Sequence, residues 1–434
     1  MSVASAGVQR SGYDLAFLDW LACACAGTAQ RATQAVRSLG ADLPARVTFA
    51  GAAGHVLDYD DTLADGVAHV SATCAPAALM LADELDASTG AMLQAFAEGW
   101  EAMAAVAAAS HPALYDAGWH PTTVCGPIGA AVVAARLLDL APEPRRHALA
   151  LAVLRAGGTR GAFGSDGKPI QVGLAAAAGV QAALMARAGA RVERSAVRGA
   201  LGFEGVLGAS VPESVLEGTQ DMDPSSPGMI ERNWIKLHPS CLGTHAPIDG
   251  AAQAGGHRLD DGPVEVAVHP VARQAAHLDD VADGLAAKFS IPYCVAHALT
   301  HGPPRIHDFA AIDAHTRERS RRVTVALDDS LPQFGAVLRV DGRELARIPC
   351  PRGAPERPAE AADLAAKVAD LAGDRLDGVL DDHDAPASLA AQAAGLAGVD
   401  RPTAVDGVDG APGVDGAAGV AGVAGAGAST AGRR

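Results

Sequence analysis

The sequence predicts a mainly α-helical protein, a large all-helical domain followed by a smaller α+β lid domain. Three observations predict it. Up to about residue 230 the apolar residues recur at helical spacing, and almost nothing alternates with a period of two. Beyond that point, Val264-Glu265-Val266-Ala267-Val268 and Val323-Thr324-Val325-Ala326-Leu327 alternate and are β-branched, the pattern of strands. Aromatic residues make up only 4% of the 434, while glycine and alanine abound, so helices can approach closely through small side chains.

Taken in order, Leu15 to Leu39 reads as a core helix, with Leu15, Leu18, Leu21, Ala22 and Cys25 on its apolar stripe. Leu43 to Leu57 reads as a second helix that ends at a cluster of acids. Ala75 to Asp86 follows, with Pro76 suited to its first turn, then Gly90 to Ala109, broken at His111-Pro112. Gly126 to Leu140, with Pro127 near its start, and Pro144 to Ala156 are further helices. Residues 157–167 form a glycine-rich loop, and Leu174 to Ala188 is apolar enough to be buried on several sides. In the lid, Gly335 to Val340 and Glu344 to Ile348 pair through Asp341-Gly342, a hairpin-turn signal, with helices near Asp279 to Ala287 and Val295 to Leu299. Ala359 to Leu371 and Asp374 to Leu380 return to helix. The division is therefore a helical domain over 10–235, a lid over 236–355 and returning helices over 356–395. A Gly/Ala/Val-rich tail over 400–434 repeats too simply to bury a core and is expected to be disordered.

The net charge of −16 argues against nucleic acid as a partner, and an anionic substrate would need a local basic pocket. Seven cysteines, an odd number without a paired C-x-x-C, are expected to be reduced thiols in a cytoplasmic protein. No signal peptide and, outside the tail, no membrane-spanning helix is expected.

Polar segments interrupt the apolar helices. The first holds Asp58, Asp60, Asp61, Thr62, Asp65 and His69. The others are Gly118-Trp119-His120-Pro121-Thr122, Phe163 to Pro169 with Lys168, Ile235 to Cys241 with Lys236, and Phe289-Ser290-Ile291-Pro292-Tyr293. Adjacent carboxylates repel one another unless a cation sits among them. Two lysines and protonatable histidines suit a polycarboxylate, and a histidine or lysine can move a proton at a carbon next to a carboxylate. Singly, each residue has an ordinary reading: an acidic helix end, a turn histidine, surface lysines, a core tyrosine. Asp58-x-Asp60-x-Thr62 also matches the phosphotransferase motif of haloacid-dehalogenase-like enzymes, but no buried parallel strand precedes it. The aspartate-rich motif of terpenoid synthases would need a second motif, which is missing. His238, Cys241 and His245 have zinc-like spacing and no fourth ligand.

Together the five segments, in this order, resemble the MmgE/PrpD family of 2-methylcitrate dehydratases, cis-aconitate decarboxylases and iminodisuccinate epimerases, over about residues 10–390. The matching runs are His55-Val-Leu-Asp58-Tyr-Asp-Asp-Thr62, Gly118-Trp-His120-Pro-Thr, Gly167-Lys168-Pro, Lys236-Leu-His-Pro-Ser-Cys241 and Phe289-Ser-Ile-Pro-Tyr293. The resemblance implies a homodimer, a site between the two domains, and neither metal nor organic cofactor. It implies His69, His120 and Asp58 as catalytic residues, and Thr62, Lys168, Lys236 and Tyr293 as substrate-binding residues. Three positions depart from the family pattern: Val70 follows the histidine, Gln171 stands where many members have histidine, and His238 where an aromatic is common. The expected activity is that of a cofactor-independent lyase on a small di- or tricarboxylate, in the manner of 2-methylcitrate dehydratase. Epimerisation or decarboxylation of a related acid is the alternative. A homologue that only binds its ligand is the alternative of another class.

Overall fold

A computed structural model describes residues 11–218, 228–255 and 262–397; the expected tail over 400–434 lies outside them. The protein is mainly α-helical with a smaller α+β part. Helix α1 spans Gly12–Gly27, opened by a capping box between Ser11 and Asp14 that satisfies the first free backbone donors. Helix α2 spans Leu43–His55, capped by the Asp42 side chain, and α3 Ser71–Glu84. Helices α4 (Thr89–Ser110), α5 (Pro121–Leu137), α6 (Pro142–Val153) and α7 (Gly167–Arg187) complete the helical part.

Two prolines fall differently from expectation. Pro76 and Pro127 lie inside α3 and α5 rather than in their first turns. In α5 the helix already begins at Pro121, where a missing N–H costs nothing, with His120 as its N-cap. The single helix expected from Leu15 to Leu39 breaks at residues 28–30, and residues 374–380 form turns rather than a helix.

Small residues set the spacing of these helices. A Cβ on Gly54 would meet the Trp20 indole at 1.9 Å, and one on Gly173 would meet the Thr48 carbonyl oxygen at 2.1 Å. Gly54 therefore lets α1 lie against α2, and Gly173 lets α7 do the same. The second contact matters most, because α2 ends at the acidic cluster and α7 begins at Lys168. Helix α7 is also apolar and long enough to cross a membrane by length and composition, but 67% of its most apolar stretch is buried inside the protein.

Strand β1 (Thr62–Leu63) pairs antiparallel with β2 (Asn233–Trp234), tying the acidic segment to the approach to Lys236. The α+β part holds a four-stranded sheet of β3 (Val264–Val268), β4 (Val323–Leu327), β5 (Ala336–Val340) and β6 (Arg343–Ile348), in the order β4-β3-β5-β6. Strands β3 and β4 are parallel; β5 is antiparallel to both of its neighbours. The β5–β6 turn is the expected Asp341-Gly342, both residues with positive φ, which a tight hairpin requires. Helices α8 (His245–Gln253) and α9 (Ile291–His301) pack on this sheet. Helix α10 (Ala361–Ala372) sends Leu364, Val368 and Leu371 into the same core as α1 to α7.

Candidate active site

The site is built on the turn that follows α2. Asp58 takes a left-handed conformation, φ 50°, which aspartate tolerates better than most side chains. Helix α2 has ended at His55, so Asp58 and Thr62 share no helical face. They reach one cavity because the turn and β1 fold back over it.

Asp58 is a hub. Its Oδ1 accepts from Lys168 Nζ at 2.9 Å and Lys236 Nζ at 3.0 Å, and His69 Nε2 lies 3.5 Å away. Lys236 also donates to the Asp58 carbonyl oxygen. Lys288 donates to the carbonyls of Leu57 and Pro239. Lys367, from α10, donates to the carbonyls of Tyr59 and Lys236, at 2.6 and 3.0 Å, and pairs with Asp19 at 2.6 Å. These four are all the lysines in the chain. All four are buried, and each bonds one of three consecutive residues, 57, 58 and 59. A buried irregular turn leaves carbonyls without helix or sheet partners, and an ammonium group with three donors can serve several at once.

Charge follows from this packing. Burial pushes the Asp58 carboxyl up, but Lys168 and Lys236 more than offset it and hold it well below the usual range. Burial likewise raises Asp60, and His55 and His69 bring it well below. Asp60 Oδ2 lies 2.9 Å from His55 Nδ1 and 3.1 Å from His69 Nδ1. Burial lowers His55 to about 4 and Lys288 to about 7. His120 is pushed well below its ordinary value, first by burial and then by Lys168. Among the described residues, His55, Asp60 and His69 form the group that could hold a metal ion, with one ligand atom each inside 4.8 Å.

Asp58, Thr62, His69, His120 and Lys168 line one cavity of about 30 Å³, together with the rings of Phe163, Phe289 and Phe334. Lys236 is not in that lining and meets the cavity only through its bond to Asp58. A larger cavity of about 570 Å³, against Leu57 and Lys288, contains neither Asp58 nor His69 nor His120. Tyr293 is not brought to the smaller cavity. Its ring lies in the core around the sheet, and its hydroxyl accepts the Asp313 N–H at 3.2 Å. His238, Cys241 and His245 have separate engagements: His238 bonds Asp249, His245 bonds the Ser240 carbonyl, and Cys241 faces the cavity.

Asp61 is bonded by Ser71 and Asn233 at 2.8 and 2.7 Å. Burial, with Asp19 nearby, raises it to about 8. The folded protein therefore keeps a proton on Asp61 that the unfolded chain releases near pH 4. Its contribution to stability is full below pH 4 and is lost as pH rises toward 8. Asp61→Asn, neutral at every pH, should flatten that part of the decline. Thermal melts of both proteins from pH 4 to 9 check this; parallel curves would contradict a protonated Asp61.

The MmgE/PrpD N-terminal domain matches residues 9–213 and the MmgE/PrpD C-terminal domain residues 238–390. The chain belongs to the MmgE/PrpD family. Cis-aconitate decarboxylase of Homo sapiens is 30% identical to it over 220 residues, which cover 48% of this chain and 43% of that protein. The Mus musculus cis-aconitate decarboxylase is 28% identical with the same coverage. The match thus spans less than half the length of these relatives.

In this MmgE/PrpD protein the sequence motifs include Lys168 and Lys236 but neither Lys288 nor Lys367, and they name His55, Asp60 and Gln171 without giving any of them a place in the site. A signal existed for two of them. Lys367 sits in the apolar stripe of Leu364, Val368 and Leu371, where a cation is out of place unless paired. Lysine is also scarce: four among 34 lysine and arginine residues, so that any lysine stands out.

Proposed function

We propose that this protein is a lyase acting on a small di- or tricarboxylate, by proton transfer at a carbon next to a carboxylate, with its own side chains supplying the charge. The observation that carries the reading is the pair of buried lysines sharing one oxygen of Asp58 beside His69 and His120. Two ammonium groups face one carboxylate charge, so the cluster can take a substrate carboxylate without adding a buried unpaired ion. The Lys168 ammonium stabilises the enolate-like charge that develops on a substrate carboxylate when the neighbouring carbon loses its proton. The histidines stand where a proton can be taken or given.

As it stands, the cavity has about 30 Å³, against several hundred for a site holding a small molecule. The substrate therefore enters when the walls part, and Phe289 and Phe334, from the α+β part, close over it. Dehydration of a 2-methylcitrate-like acid takes a proton from carbon as hydroxide leaves, and decarboxylation of a cis-aconitate-like acid gives a proton to carbon as CO2 leaves, so both need a group that moves a proton at that carbon. The names of the two relatives favour testing decarboxylation beside dehydration.

The test is to incubate the protein with 2-methylcitrate, citrate, cis-aconitate and iminodisuccinate in deuterated water and follow each by NMR. Product, or deuterium at the carbon next to a carboxylate, is expected with at least one acid. Neither product nor exchange with any of them would replace the enzyme reading with that of a binding protein.

A further inference from the structure

We propose that Gln171 is a positioning residue that holds His120 as the neutral tautomer protonated on Nε2, so that His120 meets the substrate as a donor and not as the base. The inference rests on the proposed proton-transfer reading for what the donor does; the tautomer itself does not depend on it.

The geometry is local and closed. His120 is the N-cap of α5. Its loop is held against residues 158–160: the His120 N–H bonds the Gly158 carbonyl, the Arg160 N–H bonds the Gly118 carbonyl, and Trp119 bridges Thr159. Gln171 stands one turn into α7 from Lys168 and reaches between the two loops. Its Oε1 accepts the Thr159 N–H at 3.2 Å, and its Nε2 donates to the Thr159 carbonyl at 3.3 Å and lies 2.8 Å from His120 Nδ1.

The two ends of a glutamine amide are distinguished by their partners. The Thr159 N–H is a donor and needs the oxygen on its side. Turning the amide over would set an NH₂ against that N–H and lose the bond to the Thr159 carbonyl. The NH₂ therefore faces His120 Nδ1, and Nδ1 must accept. A neutral imidazole that accepts at Nδ1 carries its proton on Nε2. His120 lines the cavity, and with Nδ1 engaged by Gln171, Nε2–H is the polar group the ring has left to offer a substrate.

The consequence is a division of labour between the histidines. For His120 to take a proton at Nε2 while neutral, the other tautomer would have to form, with Nδ1–H pointed at an NH₂. His120 thus suits a hydrogen bond to a substrate oxygen on which charge develops. Proton removal falls to another group, and His69, held between Asp60 and Asp58, is the histidine placed for it.

The experiment uses the full chain with ¹⁵N-labelled histidine, without substrate, the His120 signals being assigned by their loss in His120→Gln. Nε2 protonated and Nδ1 bare are expected in the wild type. Gln171→Glu should move the proton to Nδ1, because a carboxylate there accepts it. Gln171→Met, which neither donates nor accepts, should give a mixture. Melting temperature and amide spectra establish that both variants are folded. A wild-type His120 protonated on Nδ1, or one tautomer unchanged in all three proteins, would overturn the proposal. On whichever acid is turned over, Gln171→Glu should lower kcat by about tenfold or more with a displaced pH profile, and an unchanged kcat and profile would remove the catalytic consequence. Failure of every acid to react would count against the proposed function and leave the tautomer result intact.

Discussion

Asp58→Asn is expected to lower turnover by about a hundredfold or more while leaving the turn in place. Asparagine accepts the left-handed backbone at position 58 as readily as aspartate does, so the substitution removes charge and little else. What it removes is the counter-ion of Lys168 and Lys236, both buried and both bonded to the same oxygen. With no anion between them the two ammonium groups repel, and one lysine sheds its proton or swings away. Either outcome loses the cation that faces a substrate carboxylate, a preorganised charge of a kind worth two to three orders of magnitude when deleted. Asp58→Ala adds a backbone penalty and should also cost about 3–5 kcal/mol of stability, the range for breaking a buried ion pair from one side. Steady-state kinetics and thermal melts of both variants are the measurements. Asp58→Asn retaining more than a tenth of wild-type kcat/KM would show that the hub does not serve the reaction.

Lys367→Met is expected to cost about 3–5 kcal/mol by the same reasoning. Asp19 would be left charged and buried, and the carbonyls of Tyr59 and Lys236 would lose their donor. Burial disfavours the Lys367 ammonium, but Asp19 outweighs it and keeps the lysine charged. The double variant Asp19→Asn, Lys367→Met removes the charge left behind and should recover much of the loss. What it does not recover is the two carbonyls, at about 1–3 kcal/mol for each buried acceptor left without a bond. Because one of those carbonyls is that of Tyr59, next to Asp58, and the other is that of Lys236, both variants should be less active as well as less stable. Denaturant unfolding of the two variants and Asp19→Asn gives the coupling; additive effects would mean that Asp19 and Lys367 do not act as a pair.

Much of the fold can be read from the sequence because element type is written locally. The apolar stripes of α4 and α10 repeat every three to four residues, β3 and β4 are short β-branched runs, and β5 and β6 flank an Asp-Gly turn. Neither pattern needs a distant residue to be recognised. Errors fell where local rules compete. Pro76 and Pro127 were read as helix starts, yet both lie inside helices, α3 and α5, whose packing outweighs the lost hydrogen bond. Residues 374–380 were read as helix although their turns follow a glycine at 373 with φ 63°.

The candidate site divides in the same way. The sequence determined which polar segments interrupt the apolar helices and so compose the candidate site: the acids after α2, His120 before Pro121, and Lys168 and Lys236 in polar breaks between apolar helices. Only the tertiary structure decided what those residues do to one another. Lys236 and Asp58 are 178 residues apart, and Lys367 and Tyr59 are 308 apart, separations that no local periodicity encodes. Their meeting depends on close approaches such as that of Gly173 to Thr48, which brings α7, with Lys168 and Gln171, against α2. Packing of the sheet-bearing part likewise put Tyr293 in a core and Phe289 at the cavity, four residues away on the same motif. Spacing along the chain determines which side chains can share a helix face, whereas the charge and tautomer of a buried group are set by whatever the fold places within about 3 Å of it.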